Sequence, residues 1–309
     1  MISKNSKIFL AGHNGMVGSA ILKRLEKDGY KKIITISKKK LNLLDQIKVE
    51  KFFKKTKPKI VIIAAAKVGG ILANNNFKAN FLYENLTIQS NIIHSSYLSG
   101  VKNLIFLGSS CIYPKKTKQP IKESYFMTGP LEETNDAYSI AKIAGVKMCM
   151  EYSKQYKLNY KTLMPANMFG SNDNYDLKSS HFFPALIKKI HKAKTSGKKS
   201  VILWGNGKPK RELLYVEDFA DACVFFMKKR TKENFINIGS GLEKTIEDFA
   251  KFIMKKLNIN LKIKYDLSKP NGMLRKKLDL TIANKYGWKA KTKLDESFKK
   301  VYLEYLKLK

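Results

Sequence analysis

The sequence Leu104-Ile105-Phe106-Leu107-Gly108-Ser109-Ser110-Cys111-Ile112-Tyr113-Pro114 places four apolar residues directly before a run of small polar ones. This pattern predicts a buried β-strand that ends in a polar loop. In an open parallel α/β sheet, ligands bind just beyond the carboxyl ends of the strands. We therefore expect the hydroxyl of Ser109 and the thiol of Cys111 to face a bound ligand. A turn with an incidental buried cysteine would give the same local pattern.

A strand, a glycine-rich turn and a helix follow one another near the start of the chain. Residues 7–11 predict the strand, Gly12-His13-Asn14-Gly15-Met16-Val17-Gly18 follows, and Ala20, Ile21, Leu22 and Leu25 have helical spacing. Gly12 permits a tight turn, Gly15 lets the backbone approach a pyrophosphate, and Gly18 allows the helix to pack closely on the strand. In this context the G-x-x-G-x-x-G motif predicts a dinucleotide-binding site.

The residues after the second predicted strand, 32–36, bear on which dinucleotide binds. NAD sites usually carry Asp or Glu there to bind the ribose 2′-hydroxyl, whereas this chain has Ser37-Lys38-Lys39-Lys40. Cations suit a 2′-phosphate, so the sequence favours NADPH, with Lys38 as a contact. A loop in so lysine-rich a chain could also be basic by chance. After a third predicted strand at 59–65, the small residues Ala64-Ala65-Ala66 leave room for a cofactor ribose.

Tyr138 and Lys142 open a further predicted helix, on the sequence Asp136-Ala137-Tyr138-Ser139-Ile140-Ala141-Lys142. Positions i and i+4 lie on one face of a helix, about one turn apart. A nearby ammonium favours the tyrosinate, so we expect Lys142 to lower the pKa of the Tyr138 phenol from about 10. The phenol could then donate a proton to a carbonyl that receives a hydride. Tyr-x-x-x-Lys is common by itself, and only the upstream glycine turn and Ser109 give it weight.

The order of these patterns predicts an α/β fold: a doubly wound parallel sheet (Rossmann) with a smaller C-terminal α/β substrate domain. Residues 1–166 are expected to form the NADP-binding domain, re-entered by about 214–241, and residues 167–309 mainly the substrate domain. Further strands are expected at 103–107, 159–165, 201–204, 235–239 and 260–265, and helices at 77–98, 136–155, 181–193, 216–229 and 245–256. Loops are expected at 68–71, at 205–212 and, beside the active site, at 115–135.

The 309-residue chain carries 60 Lys and Arg against 25 Asp and Glu, a formal net charge of +35. Such a charge can indicate nucleic-acid binding, but the basic residues are spread along the whole chain and form no nucleic-acid motif. Only Arg24, Arg211, Arg230 and Arg275 are arginine, which suggests that these positions need the planar guanidinium.

With no apolar run of 18 residues and no apolar leader, we expect neither a membrane span nor a secretory signal. Three widely spaced cysteines predict a cytoplasmic protein without a metal site.

Together these motifs resemble the extended short-chain dehydrogenase/reductase family over essentially the whole chain. The likeness is most specific in Ala64-Ala65-Ala66-Lys67-Val68-Gly69-Gly70-Ile71 and in Gly108-Ser109-Ser110-Cys111-Ile112-Tyr113-Pro114. The glycine turn and Tyr138-Ser139-Ile140-Ala141-Lys142-Ile143-Ala144-Gly145 are shared more widely within that family. The resemblance implies a bifunctional enzyme that epimerises GDP-4-keto-6-deoxy-D-mannose at C3 and C5 and then reduces C4 with NADPH, which gives GDP-L-fucose.

The resemblance also implies the role of each catalytic residue. Ser109 would hold the carbonyl oxygen, Tyr138 would donate the proton, and Lys142 would bind the nicotinamide ribose and tune the phenol. Cys111 would be the epimerase base and His181 the matching acid. A C4 ketone acidifies the C–H bonds at C3 and C5, and a thiolate is an adequate base when nearby cations lower its pKa below about 8.5.

Further contacts implied by the resemblance fall on the cofactor and on the nucleotide sugar. For the cofactor they are the glycines and Lys38 together with Asn14, Met16, Val17, Ala64, Ala65, Leu107, Tyr138, Lys142, Pro165, Asn167 and His181. For the substrate they are Lys189, Trp204, Arg211 and Arg275. Relatives commonly carry Arg in place of Asn14, to bind the 2′-phosphate, and an Arg pair in place of Lys188-Lys189. Core packing is the alternative role for Trp204.

Other functions stay open from the sequence alone. One is another nucleotide-sugar epimerase, reductase or 4,6-dehydratase, although no Glu stands beside Ser109 as a dehydratase would need. The others are an NADP-sensing regulator, which would not need an intact Ser/Tyr/Lys set, and an RNA-binding protein. The helices at 77–98 and 138–155 resemble the four-helix dimer interface of the family, so a homodimer is expected, with a GDP-sugar as ligand and neither nucleic acid nor membrane as a partner.

Overall fold

The computed structural model describes residues 2–308. Its strands are β1 (Ile8–Ala11), β2 (Ile33–Ile34), β3 (Ile60–Ile63), β4 (Asn103–Leu107), β5 (Asn159–Pro165), β6 (Asn167–Phe169), β7 (Ser200–Trp204), β8 (Lys210–Tyr215), β9 (Phe235–Ile238), β10 (Glu243–Thr245), β11 (Lys262–Asp266) and β12 (Arg275–Lys276). Its α-helices are α1 (Met16–Lys27), α2 (Gln46–Thr56), α3 (Ile71–Asn76), α4 (Lys78–Leu98), α5 (Asp136–Tyr156), α6 (Phe182–Thr195), α7 (Val216–Lys228), α8 (Ile246–Lys256), α9 (Thr281–Lys285) and α10 (Leu294–Lys307).

The main sheet has six parallel strands in the order β2-β1-β3-β4-β5-β9. Every residue of β1 and β3 is buried, which explains why these strands are continuous apolar runs and not alternating ones. Helix α4 packs against α2 and α5, whereas α1 packs against α7. Right-handed crossovers place these two groups of helices on opposite faces of the sheet. The prediction of a doubly wound parallel sheet is therefore confirmed.

A second group of elements follows β5. Strand β8 pairs with β10 in antiparallel fashion and with β6 and β12 in parallel fashion. Strands β7 and β11 form a separate two-stranded parallel sheet. Helix α8 begins after Thr245, whose side chain and that of Asp248 form a capping box, as the sequence around Thr245 suggests. The expected division at residue 166 stays a prediction, although β9 pairs with β5 in the main sheet.

Two expected loops are more ordered than the sequence suggests. The loop at 68–71 leads directly into α3, and the backbone N–H of Gly70 donates to the Ser179 carbonyl at 2.7 Å. Asn74, itself buried, donates from Nδ2 to the carbonyls of Gly69 and Gly70. The end of the expected loop at 205–212 belongs to β8. Both segments are fixed by partners far along the chain, which local sequence patterns do not reveal.

Within residues 2–308, no helix combines the length and the apolar character needed to cross a membrane.

Candidate active site

A cavity of about 850 Å³ opens at the carboxyl ends of β1, β3, β4 and β5. The glycine turn, residues 64–71 and residues 108–111 form its wall on the side of the main sheet. The opposite wall is made by the start of α6, by Trp204 and Arg211, and by the segment 270–273 with Lys276. The cavity therefore lies where the two groups of elements meet, at the edge at which parallel α/β sheets bind ligands.

The glycine turn forms a cradle that no larger residue could form. Gly12 has φ +87°, and a Cβ there would lie 2.5 Å from the backbone nitrogen of Ala65. A Cβ on Gly18 would overlap the carbonyl group of Gly12. Gly15 is the N-cap of α1 and offers no capping side chain, and the first turn of α1 has no acidic residue. Free N–H groups and the positive end of the helix dipole thus face the cavity, so the turn fits a pyrophosphate.

The far end of the cavity fits the adenosine half of a dinucleotide with a 2′-phosphate. Lys38 and Asn14 line it, whereas Lys39 and Lys40 do not. The segment 36–44 otherwise contributes only apolar residues and Asn42 to the wall, with no carboxylate to bind a 2′-hydroxyl. Small Ala64 and Ala65 lie beside the glycine turn. Of the three lysines at 38–40, only Lys38 is therefore placed to contact the 2′-phosphate.

Ser109 and Tyr138 meet on the inner wall of the cavity. Ser109 follows β4 as the N-cap of a 3₁₀ turn, Ser110–Ile112, and its Oγ accepts a hydrogen bond from the Cys111 backbone N–H at 3.4 Å. The neighbouring Ser109 side chain favours the tyrosinate and so lowers the pKa of Tyr138. Burial has the larger effect and raises the pKa of Tyr138 above its ordinary value. This direction is opposite to the expected lowering by Lys142.

Lys142 does not offset this effect of burial on Tyr138. Its side chain is only 3 % exposed, and Nζ donates to the Leu107 carbonyl at 2.9 Å. Nζ lies 5.8 Å from the centre of the Tyr138 ring. Burial lowers the pKa of Lys142 to about 8, so its charge is itself weakened. Lys142 and Leu107 thus lie just beneath the cavity wall and not on its surface.

Cys111 and His181 approach the cavity from different elements. Cys111 is 5 % exposed within the 3₁₀ turn, and its carbonyl accepts from the Ser139 hydroxyl at 3.0 Å. His181 is the N-cap of α6 and is exposed towards the cavity. The surrounding walls desolvate the imidazole and lower its pKa, and the charge of Lys276 lowers it further. The structure therefore brings a thiol and an imidazole to the same cavity as Ser109 and Tyr138.

The other end of the cavity is cationic and aromatic. Lys189 Nζ donates to the Ile202 carbonyl at 3.1 Å and lies 5.0 Å from the centre of the Trp204 ring. Trp204 is 38 % exposed, which excludes the alternative of core packing. The Arg211 guanidinium donates to the carbonyls of Met273, at 2.6 Å, and Asn271, at 3.2 Å. Burial lowers the pKa of Arg211 to about 10.

Arg275 is not brought to the cavity. Its Nε and Nη2 each donate to a carboxylate oxygen of Glu243 at 2.8 Å, outside the cavity wall. The register of β12 on β8 explains this, because Arg275 pairs with Lys210 and Lys276 pairs with Arg211. Neighbours in register share a face of a sheet, so Lys276 joins Arg211 in the cavity and Arg275 points away. Lys276 was missing from the sequence-based site because neither β8 nor β12 was predicted.

Three further side chains near the substrate end were not singled out by the sequence. Glu132 is 8 % exposed, lines the cavity, and lies 3.5 Å from Lys115 Nζ. Its Oε2, the Thr134 hydroxyl and the Ser180 hydroxyl are buried without a hydrogen-bond partner in residues 2–308. The remaining predicted contacts, Met16, Val17, Pro165 and Asn167, do line the cavity. In the described part of the chain no group of three or more His, Cys, Asp and Glu side chains could hold a metal ion.

Comparison with known proteins agrees with this geometry. Residues 8–239 match the family described as "NAD dependent epimerase/dehydratase family". The chain is 46% identical over 306 residues to "Putative GDP-L-fucose synthase 2" of Arabidopsis thaliana, which covers 99% of this chain and 93% of that protein. It is 47% identical over 300 residues to "GDP-L-fucose synthase" of Sinorhizobium fredii (strain NBRC 101917 / NGR234), covering 97% and 95%.

A solved structure shares the fold over nearly the full length. This is the GDP-L-fucose synthetase from Naegleria fowleri bound to NADP, which superposes with a TM-score of 0.89 at 26% identity and covers 99% of this chain and 96% of that one. The resemblance indicated by the motifs therefore extends over the main sheet with its helices and over the elements that follow β5.

Proposed function

The chain belongs to the NAD dependent epimerase/dehydratase family, and from this premise we propose that it converts GDP-4-keto-6-deoxy-D-mannose to GDP-L-fucose. It is an enzyme that uses NADPH and combines epimerisation at C3 and C5 with reduction at C4. The observation that supports this most strongly is that Ser109 and Cys111, two residues apart, line one cavity together with Tyr138 and His181. A single sugar ring held there lies within reach of both sets of groups.

The reduction uses the groups at the end of β4 and the start of α5. The glycine turn and Lys38 would hold NADPH, which would supply the hydride that C4 accepts. Ser109 and Tyr138 bind the C4 carbonyl oxygen, and Tyr138 delivers its proton to that oxygen. The raised pKa of Tyr138 keeps the phenol protonated before the reaction, and proton transfer then depends on the negative charge that develops on the C4 oxygen. Lys142 beneath it then stabilises the tyrosinate that remains.

The epimerisation uses Cys111 and His181. Removing a proton from C3 or C5 gives an enolate, whose charge on the C4 oxygen is stabilised by the same Ser109 and Tyr138 donors. Cys111 accepts the proton as a thiolate, and His181 returns one to the opposite face. The charge of a Cys111 thiolate raises the pKa of both Lys142 and Lys276, against the larger lowering by burial.

The nucleotide end of the substrate occupies the cationic part of the cavity. Arg211 and Lys276 bind the diphosphate, since a guanidinium and an ammonium on one face can address both phosphate groups. Trp204 and Lys189 contact the guanosine half. Arg275 is left out of the proposed contacts, because its guanidinium is held by Glu243.

The proposal is tested with GDP-4-keto-6-deoxy-D-mannose and NADPH in deuterated water. The wild-type enzyme should give GDP-L-fucose with deuterium at C3 and C5. The Cys111→Ser variant should lose deuterium entry at both carbons and retain some reduction at C4, which gives an unepimerised product. Normal deuterium uptake by this variant would remove Cys111 from the role of base. A parallel series with NADH measures the cofactor preference, and equal kcat/KM values would show that Lys38 does not select NADPH.

We also propose that the enzyme is a cytoplasmic homodimer. Helices α4 and α5 pack on each other and leave large apolar side chains on their outer surface, with Tyr83 64 % and Leu98 54 % exposed. Ile140 and Tyr156 of α5 are also exposed. A second copy of the same helix pair would cover these residues in a four-helix interface. Sedimentation of the wild-type protein and of a Tyr83→Glu variant would show whether this surface carries the association.

A further inference from the structure

The four arginines differ in what holds their guanidinium groups. Arg24 is bonded to Asp28 and Asp221, Arg211 to backbone carbonyls, and Arg275 to Glu243. Arg230 alone makes no hydrogen bond or ion pair within residues 2–308 and is exposed. In a chain that uses lysine almost everywhere, an arginine without a protein partner indicates a position where the guanidinium has an external ligand.

Arg230 lines a second, shallow cavity of about 510 Å³, which lies at the opposite edge of the main sheet from the first. It lies where β5 begins at Asn159 and β9 at Phe235, which is the amino edge of the main sheet. Its other lining residues are Ser153, Lys157, Leu158, Asn159, Thr231, Lys232, Asn234 and Tyr286. Three cations and several hydrogen-bond donors therefore surround this cavity, and no carboxylate among the described residues lines it.

Lys161 adds a buried charge behind this cavity. Its side chain is completely buried in β5, and Nζ donates to Asn159 Oδ1 at 2.6 Å and to the Lys229 carbonyl at 2.9 Å. Both acceptors are neutral, and no carboxylate in residues 2–308 pairs with Nζ. Burial and, to a smaller extent, the neighbouring charge of Arg230 lower the pKa of Lys161 to about 8. A buried ammonium without a counter-ion is costly.

The nearest acidic residue does not supply that counter-ion. Glu233 accepts hydrogen bonds from Lys285 and from the Tyr286 hydroxyl, so its charge is already engaged. The carboxyl end of α5, at Tyr156, brings only the partial negative charge of its carbonyl groups to this edge. These helix carbonyls offset part of the positive charge, and no carboxylate among the described residues lines the cavity.

We propose that this second cavity binds a tetrahedral oxyanion, the phosphate group of a small molecule or its free ion, on the guanidinium of Arg230. The planar fork of an arginine matches two oxygens of such a group. Lys157 and Lys232 close around the remaining charge, and the anion supplies the missing counter-ion of Lys161. The site is separate from the catalytic cavity, because it lies at the other edge of the sheet.

Sulfate is the first probe, since it keeps its charge across the relevant pH range. Isothermal titration calorimetry at pH 8, in two buffers of different ionisation enthalpy, measures both the affinity and the protons taken up. Because Lys161 has its pKa near 8, an anion that restores the ammonium should cause uptake of up to about half a proton. Lysines with a pKa of about 10.4, as on an ordinary surface, would take up none.

Two variants locate the site. Arg230→Gln, at an exposed position, should weaken sulfate binding about tenfold or more and leave turnover at the catalytic cavity unchanged. The proton uptake is measured in a Lys276→Met background, because Lys276 in the catalytic cavity also has its pKa near 8 and would take up protons if sulfate bound there. In that background Lys161→Met should abolish the proton uptake, whereas Arg211→Ala, in the catalytic cavity, should preserve it. The proposal would be overturned by sulfate binding that Arg230→Gln leaves unchanged. It would also be overturned if sulfate bound only as an adventitious ion at very high concentration. Titrations with inorganic phosphate and with glucose 6-phosphate then distinguish a free ion from a phosphate ester by which of them binds more tightly.

Discussion

The substitution Gly12→Ala tests whether the nucleotide cradle depends on close backbone contact. The new methyl group carries two costs. A residue with a side chain at φ +87° loses about 1–2 kcal/mol in the left-handed conformation. Forcing its Cβ to within 2.5 Å of the Ala65 nitrogen adds about 1–3 kcal/mol of overpacking. The free energy of unfolding should therefore fall by about 2–5 kcal/mol.

Two other glycines separate these costs. Gly29 has φ +79°, and a Cβ added there would meet nothing within 4 Å, so Gly29→Ala should show the conformational cost alone, about 1–2 kcal/mol. Gly18 lies within helix α1, and its Cβ would overlap the Gly12 carbonyl. Gly18→Ala should therefore show the contact cost of about 1–3 kcal/mol, reduced by the roughly 1 kcal/mol that alanine gains over glycine inside a helix. Urea unfolding of the three variants measures each value.

NADPH titration of the same variants tests what the cradle does. Gly12→Ala and Gly18→Ala displace the turn from β3 or from α1, so both should bind NADPH at least about tenfold more weakly, a loss of about 1.4 kcal/mol. Gly29→Ala leaves the turn in place and should bind NADPH as the wild type does. If Gly12→Ala were no less stable than Gly29→Ala and bound NADPH normally, close approach of the backbone would be refuted as the reason for glycine at this position.

Three further outcomes are expected. Tyr138→Phe should slow NADPH oxidation by a factor on the order of 10² or more, the usual contribution of a general acid; an unchanged rate would exclude it as the proton donor. Arg211→Ala should raise the KM for the GDP-sugar about tenfold or more, whereas Arg275→Ala should leave it near the wild-type value, and the reverse order would contradict the β12 register. Since the folded pKa of Lys161 is about 8 against an ordinary 10.5, the folded state binds fewer protons between these values and stability should rise with pH across that window, by about 3 kcal/mol for this group. Lys161→Met should flatten that rise in urea unfolding measured from about pH 7.5 to about pH 10.5, and an unaltered slope would place the titration elsewhere.

The parts of the fold that the sequence predicts well are those set by local patterns. Strands β4 and β5 have the expected bounds, because buried parallel strands are short apolar runs between turn residues. The capping box at Thr245 and Asp248 is likewise local. Strand β12 was missed because it has only two residues, both of them charged. Strand β8 was missed because it begins with polar residues and is held by pairing with residues distant in the chain, as in the pair Arg211 and Lys276.

The contrast between local patterns and long-range strand pairing decides which site residues the sequence could identify. Ser109, Cys111 and Tyr138 follow directly from a strand end and from the helix next in sequence, so their motifs place them in the cavity. Lys276 and Arg275 are adjacent in sequence, and a basic turn gives no reason to prefer one of them. Only the register on β8 assigns the cavity to Lys276 and the surface to Arg275.

Protonation states depend on how deeply the side chains are buried, which a sequence motif does not show. The Tyr-x-x-x-Lys spacing predicts an ammonium that lowers the pKa of the phenol, yet the fold buries both groups and moves each pKa towards its uncharged form. With these pKa values, both groups keep their protons at neutral pH before the reaction. A donor must hold its proton until charge develops on the substrate oxygen, and a lysine with its pKa near 8 regains a full charge when an anion forms above it. The motif therefore identifies the two partners, and the depth at which the sheet buries them sets their pKa values before the reaction begins.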